Sequence, residues 1–136
     1  VIYRVPTLHV SSFWKWIEPG IEEVFRECPD DFSPPDVYAY LRMNKATLFL
    51  CFVEGEFAGF FTVELVIDPV KERRTLFVWL LHFLGANELN LENKLDDLGR
   101  QAGCCRIQFK SSRLGWKKRA EERGYKLKMV TWERML

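Results

Sequence analysis

The chain has 136 residues, of which 29% are charged and 15% aromatic, and a net charge of +1. That length suits one domain with a proper core, and that composition excludes a disordered or fibrous chain. The longest apolar runs, such as LFLCFV at 48–53 and LFVWLLHFLG at 76–85, fall short of the roughly 18 to 20 residues of a membrane span, so no transmembrane helix is expected.

The opening VIYRVPTLHV lacks a charged head, an apolar block and a small-residue cleavage site, so no signal peptide is expected. The periodicity of FWKWIEPGIEEVFREC at 13–28 puts Phe13, Ile17, Ile21, Val24 and Phe25 on one helical face. Pro19 cannot donate to the preceding turn, which predicts two short helical pieces meeting at Glu18 and Pro19. In SPPDVYAYLRMN at 33–44, Ser33 suits a cap, Pro34 the first helical position and Asp36 the positive end of the dipole. Asn44 suits the stop, and Val37, Tyr40 and Leu41 are expected to point inward.

The period then changes. ATLFLCFVEGEFAGFFTVELVIDP at 46–69 reads as two strands around a Glu54-Gly55 turn, and a third follows at about 74–83, giving an antiparallel meander. Leu91, Leu95, Leu98 and Ala102 restore a helical spacing that Gly103 ends. CRIQFK at 105–110 is a short strand, expected to lie parallel to the third through a right-handed crossover. LGWKKRAEERGY at 114–125 reads as a last helix closed by Gly124, and KLKMVTWERML as a terminal strand. The layout is α+β around a mixed sheet, in a single domain spanning 1–136, with no internal repeat or linker.

Four features bear on chemistry. LLHFLGANELN at 80–90 leaves an apolar run through a glycine and enters a helix, and such a turn can seat phosphate on unpaired amides and the helix dipole. From Arg106 onward there are ten basic and three acidic residues, a field that favours an anionic ligand or partner. Lys117, Lys118, Arg119, Arg123, Lys126 and Lys128 are the candidate phosphate contacts if the chain binds nucleic acid. Cys28, Cys51, Cys104 and Cys105 form no metal-ligand spacing, and Cys51 and Cys105 read as buried reduced thiols.

The order of elements resembles the GCN5-related N-acetyltransferase (GNAT) superfamily over nearly the whole chain. The resemblance rests on the hairpin LFLCFVEGEFAGFFTVEL, on the strand, turn and helix around Gly85, and on RLGWKKRAEERGYKLKMVTWERML at the end. More narrowly, IEPGIEE, FTVELVIDP and LGWKKRAEERGYK resemble small GNAT-like proteins that tailed bacteriophages encode among their virion genes.

The resemblance implies a GNAT-like mixed sheet, an antiparallel meander followed by a parallel β-α-β unit, with helices on both faces. It implies acetyl-CoA as cofactor if the protein is active, with its pyrophosphate on the turn after the third meander strand. There His82, Gly85 and Asn87 stand in the three pattern positions and only the glycine agrees. Gly85, Ala86 and Asn87 are the candidate cofactor-binding residues of an active protein. Glu88 and Glu92 bring acid to the helix start, while Lys94, Arg100 or the basic C-terminal residues are the groups that would offset it. One carboxylate about 6 Å from one phosphate charge costs roughly 3 kcal/mol at an effective dielectric of about 20. The family often places a tyrosine proton donor four residues before the final helix's glycine, and that position is Ala120. Tyr125 falls where the family has a packing aromatic. His82 and Glu64 are the catalytic base candidates, with a hydrogen-bonded structural role the simpler expectation for His82, placed by alternation on one face with Val78 and Leu80.

The expectation is a GNAT-like protein with a degenerate site and no bound cofactor, acting through another phage or host protein in the host cytoplasm, the virion or both. The spare surface for that partner is the aromatic stretch Phe13, Trp14 and Trp16. An active acyl-CoA-dependent N-acetyltransferase is the alternative.

Overall fold

A computed structural model describes residues 1–27, 32–84, 91–111 and 115–136. Strand β1 (Ile2–Val5) leads through a short 3-10 turn into helix α1 (Val10–Glu27), then α2 (Pro34–Arg42). The meander is β2 (Thr47–Val53), β3 (Glu56–Ile67) and β4 (Arg74–Phe83), followed by α3 (Leu91–Gln101), β5 (Arg106–Phe109) and α4 (Trp116–Glu122). The sheet order is β1-β2-β3-β4-β5. Every neighbouring pair is antiparallel except β4 and β5, which run parallel as the crossover predicts.

Alternation along the strands separates two cores. On one face Leu48, Leu50, Phe60 and Leu80 pack with Val10, Ile17 and Ile21 of α1 and Val37 and Leu41 of α2. On the other, Phe49, Cys51, Phe61, Val63, Leu76 and Val78 pack under Leu95 of α3. Helices therefore lie on both faces of a mixed α+β sheet, as expected. The β2–β3 hairpin closes through Glu54 and Gly55, both at positive φ (52° and 81°), the backbone of a tight two-residue turn that favours glycine. α2 is fixed at its start by Asp36, whose carboxylate accepts from the Ser33 amide at 2.9 Å and hydroxyl at 2.8 Å.

Several expectations are corrected. α1 is one continuous helix through Pro19, because Pro19 lies on the solvent side, where water can satisfy the carbonyl it leaves without a donor. Tyr40 does not point inward. It is 38% exposed and covers the Trp79 ring at 5.2 Å. β1, too short to show a period of its own, exists because it pairs with β2 from Ile2↔Cys51 to Val5↔Leu48. Residues 126–136 form no strand, although the outer edge of β5 has no strand partner among the described residues. Cys51 is buried as expected, but Cys105 is exposed. Among the described residues no helix is long and apolar enough to cross a membrane.

Candidate functional site

The parallel pairing of β4 with β5 runs from Thr75↔Arg106 to Val78↔Phe109 and stops. Beyond it, Trp79–Phe83 of β4 keeps β3 on one side only, so the sheet opens where the two strands part. At this point β4 carries an extra residue. Thr62 pairs with Leu80 and Val63 with Val78, which leaves Trp79 as a bulge. The Leu80 amide donates to the buried Thr62 Oγ1 at 3.1 Å, so a side chain takes the place of a ladder bond. The bulge also reverses the alternation. Leu80 faces α1 and α2 while Val78 faces α3, so His82 shares a face with Leu80 and not with Val78 as simple alternation predicts.

His82 faces α1. Its Nε2 is 2.8 Å from Glu23 Oε2, with the imidazole 18% and the carboxylate 59% exposed. Its ring stacks on Phe60 at 6.1 Å, and Nδ1 lies against Gly20, where a Cβ would come within 2.7 Å. Both ring nitrogens are thus turned to the helix. Glu64, the other base candidate, pairs with Phe77 four β3 positions from Phe60, a separation of about 13 Å at the usual strand rise. The structure does not bring the two together. Burial raises the Glu64 pKa, and Lys110 partly counters it. Lys110 itself lies over the Phe77 ring at 5.6 Å.

The candidate cofactor residues Gly85, Ala86 and Asn87, and Glu88 with them, lie outside the described residues. The first turn of α3 is described and holds Glu92. Its carboxylate is 3.4 Å from Arg123 Nη1 and accepts from the Tyr125 hydroxyl at 3.3 Å. The Tyr125 ring stands edge-on to Phe109 at 5.2 Å, a packing role. Burial, and then the Glu92 charge beside it, raise the Tyr125 hydroxyl well above the usual phenol range. A carboxylate anchored at a helix N-terminus satisfies the dipole from within the chain and repels a diphosphate approaching the same turn.

Two of the other basic residues have neighbours on α4. Lys117 is 4.0 Å from Glu121, and Arg119 lies over Trp116 at 5.6 Å. Arg100, a candidate to offset the acid, pairs with Asp97 at 4.0 Å. Among the described residues no group of three or more acidic, histidine or cysteine side chains could hold a metal. Of the aromatic stretch on α1, Trp14 is tethered by its indole N–H to Glu18 at 2.6 Å. Phe13 packs between Tyr3 and Trp16, and Trp16, 44% exposed, also meets Phe52 and Phe57.

Glu23, Thr62 and Arg123 carry the local chemistry, and sequence reasoning gave none of them these roles. Each acts through a partner 18 or more residues away, and no local period reports such a pairing.

Solved structures match over the full length. A ribosomal-protein-alanine N-acetyltransferase from Brucella melitensis biovar Abortus 2308 superposes with a TM-score of 0.73 at 12% identity, covering 100% of this chain and 98% of that one. An aminoglycoside acetyltransferase from an uncultured soil metagenomic sample gives 0.72 at 15% identity, covering 100% and 97%. The fold is that of the GNAT acetyltransferases. A putative acetyl transferase from Pyrococcus furiosus gives 0.71 at 17% identity, covering 100% and 99%. No protein-family model and no curated protein matches the sequence. At these identities the shared property is the GNAT fold.

Proposed function

We propose that this GNAT-fold chain has a degenerate acetyl-CoA seat and works by binding another protein, of a phage or its host, including as a virion component. The observation that carries the reading is Glu92. It stands in the first turn of the helix that follows the cofactor loop in this fold, held by Arg123 at 3.4 Å and Tyr125 at 3.3 Å. The ion pair also engages Arg123, a cation beside that turn. Ala120 supports the same reading, since it offers no proton for a leaving thiolate. The phage context rests on the resemblance of IEPGIEE, FTVELVIDP and LGWKKRAEERGYK to phage proteins. The aromatic surface of Tyr3, Phe13, Trp16, Phe52 and Phe57 has the composition of a protein interface. Calorimetric titration with acetyl-CoA at moderate salt tests the seat. No binding heat is expected at millimolar cofactor, and micromolar affinity would overturn the reading.

The contact of His82 with Glu23 favours a second reading, an acyl-CoA-dependent N-acetyltransferase, the activity for which the solved neighbours are named. Acetyl-CoA would there supply the acyl group. The pair would take the proton of an attacking amine, entered from solvent through the exposed Glu23 carboxylate. Turnover of an amine that falls at least tenfold in both Glu23→Gln and His82→Gln, with folding intact, would establish it.

A further inference from the structure

Ser11, Trp14 and Glu18 of α1 are three and four residues apart, as are Pro35, Tyr38 and Arg42 of α2, so each set forms one stripe along its helix. The helices run antiparallel, since Phe25 meets Phe32 at 6.2 Å and Val10 lines one cavity with Leu41. Between them Ser11, Trp14, Glu18, Pro35 and Tyr38 line a groove of about 370 Å³ that is open to solvent. Trp14 and Tyr38 meet edge-on at 4.9 Å and rest on the core below, so the aromatic floor is in place before anything binds. One Glu18 oxygen accepts the Trp14 indole N–H at 2.6 Å, and among the described residues no cation pairs with this carboxylate. The Tyr38 oxygen accepts from Arg42 Nη1 at 3.3 Å, so its own proton is left to donate. Arg42 also lies over the Tyr38 ring at 5.9 Å, at the Ser11 end of the groove and opposite Glu18. Trp14 and Trp16 are about 200° apart around α1, so the groove is a different surface from the cluster of Tyr3, Phe13 and Trp16.

An aromatic floor, a hydroxyl donor and an unpaired carboxylate define the ligand by what each needs. A helix laid in the groove could not use the donor, because its carbonyls are bonded internally. A polyproline II segment has every carbonyl free and presents apolar rings that dock on aromatic grooves. We infer that the groove binds a proline-rich segment of a partner protein in polyproline II form, with a lysine or arginine of that segment on Glu18. The proline rings pack on Trp14, Tyr38 and Pro35, and a carbonyl accepts from the Tyr38 hydroxyl. The Glu18 carboxylate at the Pro35 end and the Arg42 guanidinium at the Ser11 end give the groove a polarity, which sets the basic residue at the Glu18 end. Since proline fixes φ, such a segment loses little freedom on binding, which suits a groove this shallow. The inference stands whether or not the cofactor seat is functional.

Nuclear magnetic resonance of the nitrogen-labelled full chain, titrated with synthetic peptides, tests it. The peptides are a run of prolines flanked by arginine, the same run flanked by alanine, and a run of alanines flanked by arginine. The Trp14 indole signal, assigned by its loss in Trp14→Phe, should move and saturate below millimolar proline peptide. The arginine-flanked proline run should bind about fivefold more tightly than the alanine-flanked one, the effect of one exposed ion pair. Glu18→Gln keeps an acceptor for the indole and should make the two proline peptides equal in affinity. Three results overturn the inference: a Trp14 indole that does not move at millimolar peptide, an alanine run that binds as tightly as the proline run, or a preference for arginine that survives in Glu18→Gln. The second would mean that the groove takes a helix or any apolar chain.

Discussion

A Cβ on Gly20 would stand 2.7 Å from Nδ1 of His82 and 2.8 Å from the Phe60 ring, so the imidazole occupies the space that a side chain on α1 would fill. Gly20 is buried in the middle of α1, where alanine would ordinarily gain about 1 kcal/mol in helix propensity. Overpacking costs about 1–3 kcal/mol, and the clash involves a ring drawn towards α1 by Glu23 and stacked on the equally close Phe60. The Gly20→Ala variant should therefore be less stable by about 1 kcal/mol net in urea unfolding. An unchanged or raised midpoint would show that His82 moves aside freely and that the contact with α1 is loose.

The bulge at Trp79 depends on Thr62 in the same way. Thr62 is fully buried and its Oγ1 accepts the Leu80 amide at 3.1 Å. Thr62→Val keeps the shape and removes the acceptor, leaving a buried N–H unpaired at a cost of about 1–3 kcal/mol. Thr62→Ser keeps the acceptor and should lose less. Urea midpoints should rank wild type, serine, valine, and the Leu80 amide should exchange faster in the valine variant. Equal midpoints for serine and valine would mean that the loss is methyl packing and that the bulge needs no side-chain acceptor.

These two sites also show where the sequence stops being readable. Period-two alternation in the hairpin and period-3.6 spacing in 91–102 were enough to place β2, β3, β4, α3 and β5, and the short α3 crossover implied the parallel β4–β5 step. The run FVWLL at 77–81 is apolar without alternation, so the extra residue at Trp79 left no mark, and its consequence, the face on which His82 lies, was misjudged with respect to Val78. Pro19 predicted a break from its missing donor alone, although the spacing of Ile17, Ile21 and Val24 sets it opposite the apolar face. The strand pattern of 126–136 is present in the residues, but the segment forms no strand. The site divides likewise. His82, Glu64 and Tyr125 stood out by type and position, whereas Glu23 and Arg123 become chemistry only through folding.

Glu64 offers a test through pH. Burial raises its folded pKa above the unfolded value, so the unfolded chain releases this proton first. Stability is then lost as pH rises from the unfolded pKa through the folded one, and at neutral pH the ionised carboxylate is a burden that Lys110 only partly relieves. Glu64→Gln should melt above wild type at neutral pH, and the gain should vanish below the carboxylate range. A variant that melts lower at neutral pH would mean that the attraction to Lys110 outweighs burial.

The thiols should divide by the same physics. Cys51 lies wholly buried in β2 under Phe49 and Phe61, and burial pushes its pKa to about 11, against a smaller opposing pull from the N-terminal charge. At pH 8 roughly one thiol in a thousand is then ionised, and only the thiolate alkylates. Cys105 is exposed, with its Sγ only 3.5 Å from the Arg74 carbonyl to slow it. Iodoacetamide followed by peptide mapping should modify Cys105 in the folded protein and spare Cys51 until denaturant opens the sheet. Since β2 pairs with β3 along its length and with β1 from Leu48 to Cys51, labelling of Cys51 measures opening of the sheet around it. Modification of Cys51 at the rate of Cys105 without denaturant would show that β1 peels from β2 readily, and that the buried position of this thiol does not protect it.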